Sequence, residues 1–205
     1  NAGTFTSTKS QRVTVSSYGY TDLIKGPGNL FISAEQGYKR RDNVNRWGLL
    51  VSTLSTDGKD DVHVVDTERM TQNVTDNTTS YYRSPSITAL NDSIYAIGYR
   101  GDSYDGFIET FKVETSGKIT RLKSYEYDAN ESNYNKLVRV DSNTVAMIYR
   151  GFKGQWGGHV LTFDIATDGS SITEVASKLL HNSGDFFDTD LIHLRDDMYV
   201  AAYKG

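Results

Sequence analysis

Residues Tyr95–Gly101 read YAIGYRG, residues Val145–Gly151 read VAMIYRG, and residues Tyr199–Gly205 read YVAAYKG. The closing glycines of these three stretches are 50 and 54 residues apart. An upstream copy, FISAEQG, ends at Gly37, 64 residues before Gly101, and so carries an insertion. A unit that recurs at this spacing decides the fold class before any single residue does, because repeat architectures announce themselves as self-similarity.

Working outward from the refrain, each unit divides into strand-like pieces, A to D in chain order. Piece A is SITALND (Ser86–Asp92), KLVRVDSN (Lys136–Asn143), DLIHLRDD (Asp190–Asp197) and, more loosely, DLIKGPGN (Asp22–Asn29). Piece B is the refrain. Piece C is WGLLVSTLSTDG, GFIETFKVETSG and GGHVLTFDIATDG, ending at Gly58, Gly117 and Gly169. Piece D is DVHVVDTERMT, KITRLKSYEYD and SITEVASKLLHN. The pairs Asp57-Gly58, Ser116-Gly117 and Asp168-Gly169 between C and D supply the positive φ of tight hairpins. The pieces are rich in Val, Ile, Thr, Tyr and Phe, and no long helical stripe competes with them.

Four short antiparallel strands per unit of this length predict a propeller blade. A β-sandwich has strands at similar spacing but no reason to repeat a sequence unit. A superhelical β-solenoid repeats with shorter periods. The reading is therefore all-β: a four-bladed β-propeller of four-stranded antiparallel blades forming one domain over 1–205. A D strand lies at 4–15, blades at 20–71, 80–128 and 133–181, and a partial blade at 188–205. Ala96, Gly98, Ala146, Ala201 and Ala202 are small residues inside strands, as crowding near a propeller axis favours. Tyr99, Tyr149 and Tyr203 share one register, and Arg100, Arg150 and Lys204 the next. We read this whole column as scaffold.

Setting Asn29 on Asn143 puts Gly3 on Gly117, so the stretch beginning at Thr4 matches piece D. The chain reads D, three full units, then A and B. The last blade is expected to be shared by the two termini and to lack its C strand. Unpaired strand edges are seldom left uncovered, and a strand donated by another copy, or by adjoining blades of a longer chain, would satisfy them. The candidate assembly edges are Thr4, Thr6 and Thr8 at one end and Tyr199, Ala201 and Tyr203 at the other. The competing reading is a piece of a longer repeat protein, cut in phase with its unit.

Composition bounds the partners. The net charge is −4, which is not the basic footprint of a nucleic-acid binder. No apolar run approaches the ~20 residues of a membrane helix. There is no cysteine, which excludes disulfides, thiolate metal sites and cysteine nucleophiles. Sequons occur at Asn73, Asn77, Asn91 and Asn130, candidate glycosylation sites if the chain is secreted.

The B–C and D–A loops share one face and are longer and more aromatic than the A–B and C–D turns, so any binding surface is placed there. Trp47 and Trp156 occupy matching positions, each followed by Gly. With Tyr104 and Tyr134 they form a candidate sugar-stacking surface; the competing reading is that each Trp caps its blade. Arg40, Arg41 and Arg46 sit in the insertion and would meet an anionic glycan or a partner's acidic edge, or form a solvated loop. RGDS at Arg100–Ser103 follows from the repeat, since only Asp102 is extra to it. Lys25, Arg139 and His193 align in piece A as a basic column able to meet an anion. Asp185, Asp188 and Asp190 are acidic enough for calcium but lack the spacing of a dedicated loop. There is no HExxH, GxSxG or phosphate loop, and the Asp-box of sialidases is absent. We assign no catalytic residue, cofactor or metal.

The stretches Leu137–Gly151 (LVRVDSNTVAMIYRG) and Gly158–Val175 (GHVLTFDIATDGSSITEV), with their copies, resemble the roughly fifty-residue β-propeller units of secreted and surface proteins of bacteria and archaea. The resemblance covers nearly the whole chain and implies an extracellular or cell-surface setting. It carries over no catalytic residue, because propellers host unrelated functions. The first expectation is a non-enzymatic assembly protein, a surface-layer, filament or adhesin subunit joined to its neighbours through an incomplete blade. The second is a lectin-like propeller binding glycans on its aromatic face. A glycan-cleaving enzyme is disfavoured, since no pair of carboxylates stands at a defined site.

Overall fold

The computed structural model describes residues 21–41, 44–56, 62–70 and 84–205. These residues are all-β. The first sheet is β1 (Thr21–Lys25), β2 (Leu30–Arg41), β3 (Val44–Thr56) and β4 (Val62–Arg69). The second is β5 (Ser86–Ala89), β6 (Ile94–Arg100), β7 (Gly106–Val113) and β8 (Ile119–Asp128). The third is β9 (Ser132–Arg139), β10 (Thr144–Phe152), β11 (Trp156–Ile165) and β12 (Ile172–His181). A two-stranded sheet, β13 (Phe187–Arg195) and β14 (Met198–Lys204), completes the set. Within each sheet the strands follow chain order and every pair is antiparallel.

Alternation along each strand gives every sheet two apolar faces, and the sheets stack face to face in chain order. Ile97, Tyr99 and Phe111 of the second sheet pack on Ile32, Leu49 and Val51 of the first. Its other face, with Ile94, Ala96 and Ile108, packs on Leu137, Met147 and Tyr149 of the third. Ala146 and Ile148 on the far side of the third sheet meet Leu191 and Tyr199. The first strand of each sheet abuts the first strand of the next, β1 on β5, β5 on β9 and β9 on β13. Each fully buried Leu, Ile or Phe at these interfaces contributes about 1.5–3 kcal/mol. Among the described residues no hydrophobic cluster joins the two-stranded sheet to the first sheet.

Polar bonds repeat along the stack as regularly as the apolar contacts. At the outer side, Thr53 Oγ1 donates to the Gly117 carbonyl at 2.6 Å, and Thr110 Oγ1 donates to the Gly169 carbonyl at 2.7 Å. Each joins a third strand to the turn glycine of the following sheet. The refrain's Arg also reaches forward. Arg100 Nη1 donates to Asn133 Oδ1 at 2.7 Å, and the Arg150 guanidinium lies 5.0 Å from the Phe187 ring; Asn133 and Phe187 hold equivalent places in their units. Arg100 is 6% exposed and also lies over Tyr104, so the RGDS stretch does not present its Arg.

The refrain's glycine is fixed by close approach. A Cβ on Gly101 would stand 2.7 Å from the Phe107 ring, and one on Gly151 would collide with the Glu131 carbonyl and the Tyr149 ring. The refrain's Tyr is fixed by burial with a bonded hydroxyl. Tyr99 donates to Glu109 Oε1 at 2.7 Å and Tyr149 to Asp128 Oδ2 at 3.0 Å.

Two outcomes follow. Gly151→Ala loses about 2 kcal/mol or more in denaturant unfolding, because the clashing atoms include backbone. The second concerns Glu109, 1% exposed, whose carboxyl burial pushes up to about 7 against the opposing hydrogen bonds of Tyr99 and Ser124 and the charge of Arg121. An unfolded Glu titrates near ~4.3, so between these values the folded chain binds more protons. Stability from this group is therefore fully present below the unfolded value and declines as pH rises toward about 7. Glu109→Gln removes that decline: thermal melts match the parent near the unfolded pKa and exceed it by about 2 kcal/mol in mild alkali.

Candidate functional site

The first strands of all four sheets converge on one cavity of about 170 Å³. It is formed where the chain enters these strands, by Thr21 and Asp22, by Ser84–Ser86, by Tyr134–Lys136 and by Asp188 and Thr189. The local cause is a recurrent irregularity. In the third sheet Ile148 pairs with Lys136 and Arg150 with Asn133, which leaves Tyr134 and Asn135 both opposite Tyr149. In the last sheet Ala202 pairs with Asp190 and Lys204 with Phe187, which leaves Asp188 and Thr189 both opposite Tyr203. These are β-bulges, which bend a strand and re-aim its side chains. In the second sheet Pro85 has no N–H to give the ladder, and pairing begins one residue later, at Ser86 with Gly98.

The residue opening each irregularity is left-handed: Ser84, Tyr134 and Asp188 have φ of 55°, 55° and 48°. They lie seventeen residues before Gly101, Gly151 and Gly205 respectively. A non-glycine residue in this region costs about 1 kcal/mol or more. The same strained position therefore recurs in three units and lines the same cavity each time.

Two hydrogen-bonded relays cross the cavity wall from sheet to sheet. Asp22 Oδ2 accepts the Ile87 N–H at 2.9 Å and the Ser86 hydroxyl at 3.4 Å. Ser86 Oγ in turn accepts the Leu137 N–H at 3.0 Å. Asp22 and Ser86 are equivalent residues, and so are Ile87 and Leu137. Lys136 takes this place in the third unit and pairs with Asp190 at 3.4 Å. The Thr189 hydroxyl donates to the Tyr134 carbonyl. Two wall residues keep unused groups: Ser84, 7% exposed, has no partner for Oγ, and Asn135, 5% exposed, has none for Nδ2, although its Oδ1 accepts Tyr127 and Ser132.

An aromatic rim stands beside the cavity. The Tyr134 ring meets Phe187 edge-on at 5.7 Å, Phe187 faces Arg150, and Trp156 packs on Phe152 at 5.6 Å while remaining 41% exposed. Tyr104 is 54% exposed, its ring 3.9 Å from the Arg100 guanidinium. Arg40, Arg41, Arg46 and Trp47 are carried not on a loop but on a hairpin that extends the β2–β3 ladder, Tyr38 opposite Trp47 and Arg41 opposite Val44; their side chains lie outside the described residues. Thr4, Thr6, Thr8, Asn73 and Asn77 also lie outside them. Asn91 donates to the Thr167 carbonyl at 2.9 Å and Asn130 to the Phe152 carbonyl at 3.2 Å, each through the amide that a glycan would occupy.

Of the basic column, Arg139 bonds the Asp141 carbonyl and His193 the Asp196 carbonyl, both in their own turns and at the other end of the strands from the cavity. Among the described residues no group of three or more His, Asp and Glu is placed to hold a metal ion, Asp185, Asp188 and Asp190 included, and no helix is long and apolar enough to cross a membrane. The cavity residues Asp22, Ser86, Asn135 and Lys136 were not candidates from sequence. The available signal was that Asp22, Ser86, Lys136 and Asp190 share one repeat position while differing in charge. No family model matches the chain, and no curated protein matches it.

Because Asp188 is exposed and left-handed, Asp188→Gly relieves backbone strain at little cost in contacts. The expected result is an unchanged or higher melting midpoint, by about 0.5–1 kcal/mol of stability, read by calorimetry.

Proposed function

We propose that the chain is a run of four propeller-type blades that closes against another copy rather than on itself, its last blade completed by that copy, making it a non-enzymatic assembly protein of the cell surface or extracellular space. One observation carries this reading: repeat-equivalent residues are buried inside the stack and bare at its ends. Leu90 and Ile94 are 1% and 4% exposed, whereas their equivalents on the two-stranded sheet, Leu194 and Met198, are 54% and 44% exposed. At the other end Ile87 and Tyr95 are 4% and 2% exposed, whereas their equivalents Leu23 and Phe31 are 58% and 39% exposed.

The two bare faces are the two sides of one missing interface. The far face of β13–β14 corresponds to the side of the second sheet that packs on the third. The near face of β1–β2 corresponds to the side that packs on the preceding sheet. A second copy bringing its first sheet against β13–β14 would repeat contacts already used inside the chain. It would also offer a strand to β14, the edge carrying Tyr199, Ala201 and Tyr203, on whose outer side no described strand lies. Sheet edges and apolar faces that stay open favour association.

The lectin-like reading keeps one specific support, the half-exposed Trp156 ring beside Arg150 on the aromatic rim. It is compatible with assembly and uses different residues.

Light scattering after size exclusion, together with negative-stain images, tests assembly. The parent is expected to form concentration-dependent oligomers or rods, and Leu194→Lys or Val200→Lys to give folded monomers. A parent that is monomeric at every concentration defeats the reading, since its own first sheet would then cover the last.

A further inference from the structure

We propose that the cavity between the four first strands binds a single sugar residue. The wall selects this class by its chemistry. Its lining residues are mostly polar, Thr21, Asp22, Ser86, Lys136, Asp188 and Thr189, with Pro85 and Tyr134 beside them.

Both signs of charge are present, in Asp22 and Asp188 and in Lys136. The Asp22 carboxylate accepts the Leu23 and Ile87 N–H groups, and Lys136 is paired with Asp190. A simple ion therefore meets no concentrated field of the opposite sign, and among the described residues no metal-holding group of side chains forms.

What the wall offers is a mixed set of donor and acceptor residues, Thr21, Ser86, Lys136, Asp188 and Thr189 among them. A ligand hydroxyl, which both donates and accepts, suits such a mixed lining. Tyr134 belongs to the same lining. The volume of about 170 Å³ corresponds to about six waters at ~30 Å³ each, the scale of one pyranose ring. Left-handed backbone at Ser84, Tyr134 and Asp188 is the kind of strain that persists at binding sites. The site does not depend on assembly. It shares its ligand class and Tyr134 with the rim reading, but not Trp156.

Saturation-transfer NMR and calorimetric titration of the full chain with methyl glycosides of glucose, galactose, mannose and N-acetylglucosamine test it. At least one glycoside is expected to bind in the millimolar range or tighter. Asp188→Gly, which keeps the backbone region, and Lys136→Gln, which removes an exposed ion pair, each weaken binding by about tenfold, while Trp156→Ala leaves it unchanged. The proposal is overturned if no glycoside gives transfer, or if binding survives both cavity variants. Loss in Trp156→Ala alone also overturns it, because the sugar then sits on the rim. So does uptake of calcium or inorganic phosphate by a cavity that takes no glycoside.

Discussion

A small antiparallel sheet with apolar residues on both faces has to be covered twice. This requirement organises the molecule. The second sheet is covered on one side by Ile32, Leu49 and Val51 and on the other by Leu137 and Met147, and it is the most completely buried. Its central strand β6 is buried along its whole length. The sheets at the two ends are covered once by what the structure describes, and their second faces carry the exposed Leu23, Phe31, Ile192 and Leu194. Stability here belongs to pairs of neighbours rather than to any sheet alone, as in other repeat architectures.

The second constraint is geometric. A Cβ is excluded where the refrain ends, by the Phe107 ring at Gly101 and by the Glu131 carbonyl and the Tyr149 ring at Gly151. The tyrosine two residues earlier, Tyr149 or Tyr203, lies opposite two residues of the first strand instead of one. The bulge so produced turns the entry of that strand away from its partner. Present in the third and last sheets, and matched in the second by the start of pairing only after Pro85, it opens the polar cavity at the entry of these strands. Scaffold and candidate site thus come from one local device.

The sequence made the strands legible and the site illegible, for physical reasons. Period-two alternation and the Asp-Gly and Ser-Gly turns are local signals, so the antiparallel four-stranded sheets could be read from them. The refrain's small residues located the crowded strand. A bulge, by contrast, depends on the register between two strands, which Tyr134 or Asp188 alone does not announce. The relay from Asp22 to Ile87 and from Ser86 to Leu137 joins different sheets, so no linear motif contains it. The basic insertion read as a loop because its charges hide the continuing ladder. Lys25, Arg139 and His193 aligned in sequence, but Arg139 and His193 bond the carbonyls of their own turns.

The threonine bonds at the outer side give the stack a sense of direction. Thr53 serves the turn after it and Thr110 the next, always from a hydroxyl in one sheet to a carbonyl in its successor. Front and back of the stack are therefore chemically unlike. Any contact between copies that reuses this bond is heterologous and joins tail to head. Such contacts, unlike those of a twofold pair, build either a closed ring or an open filament with a distinguishable beginning and end.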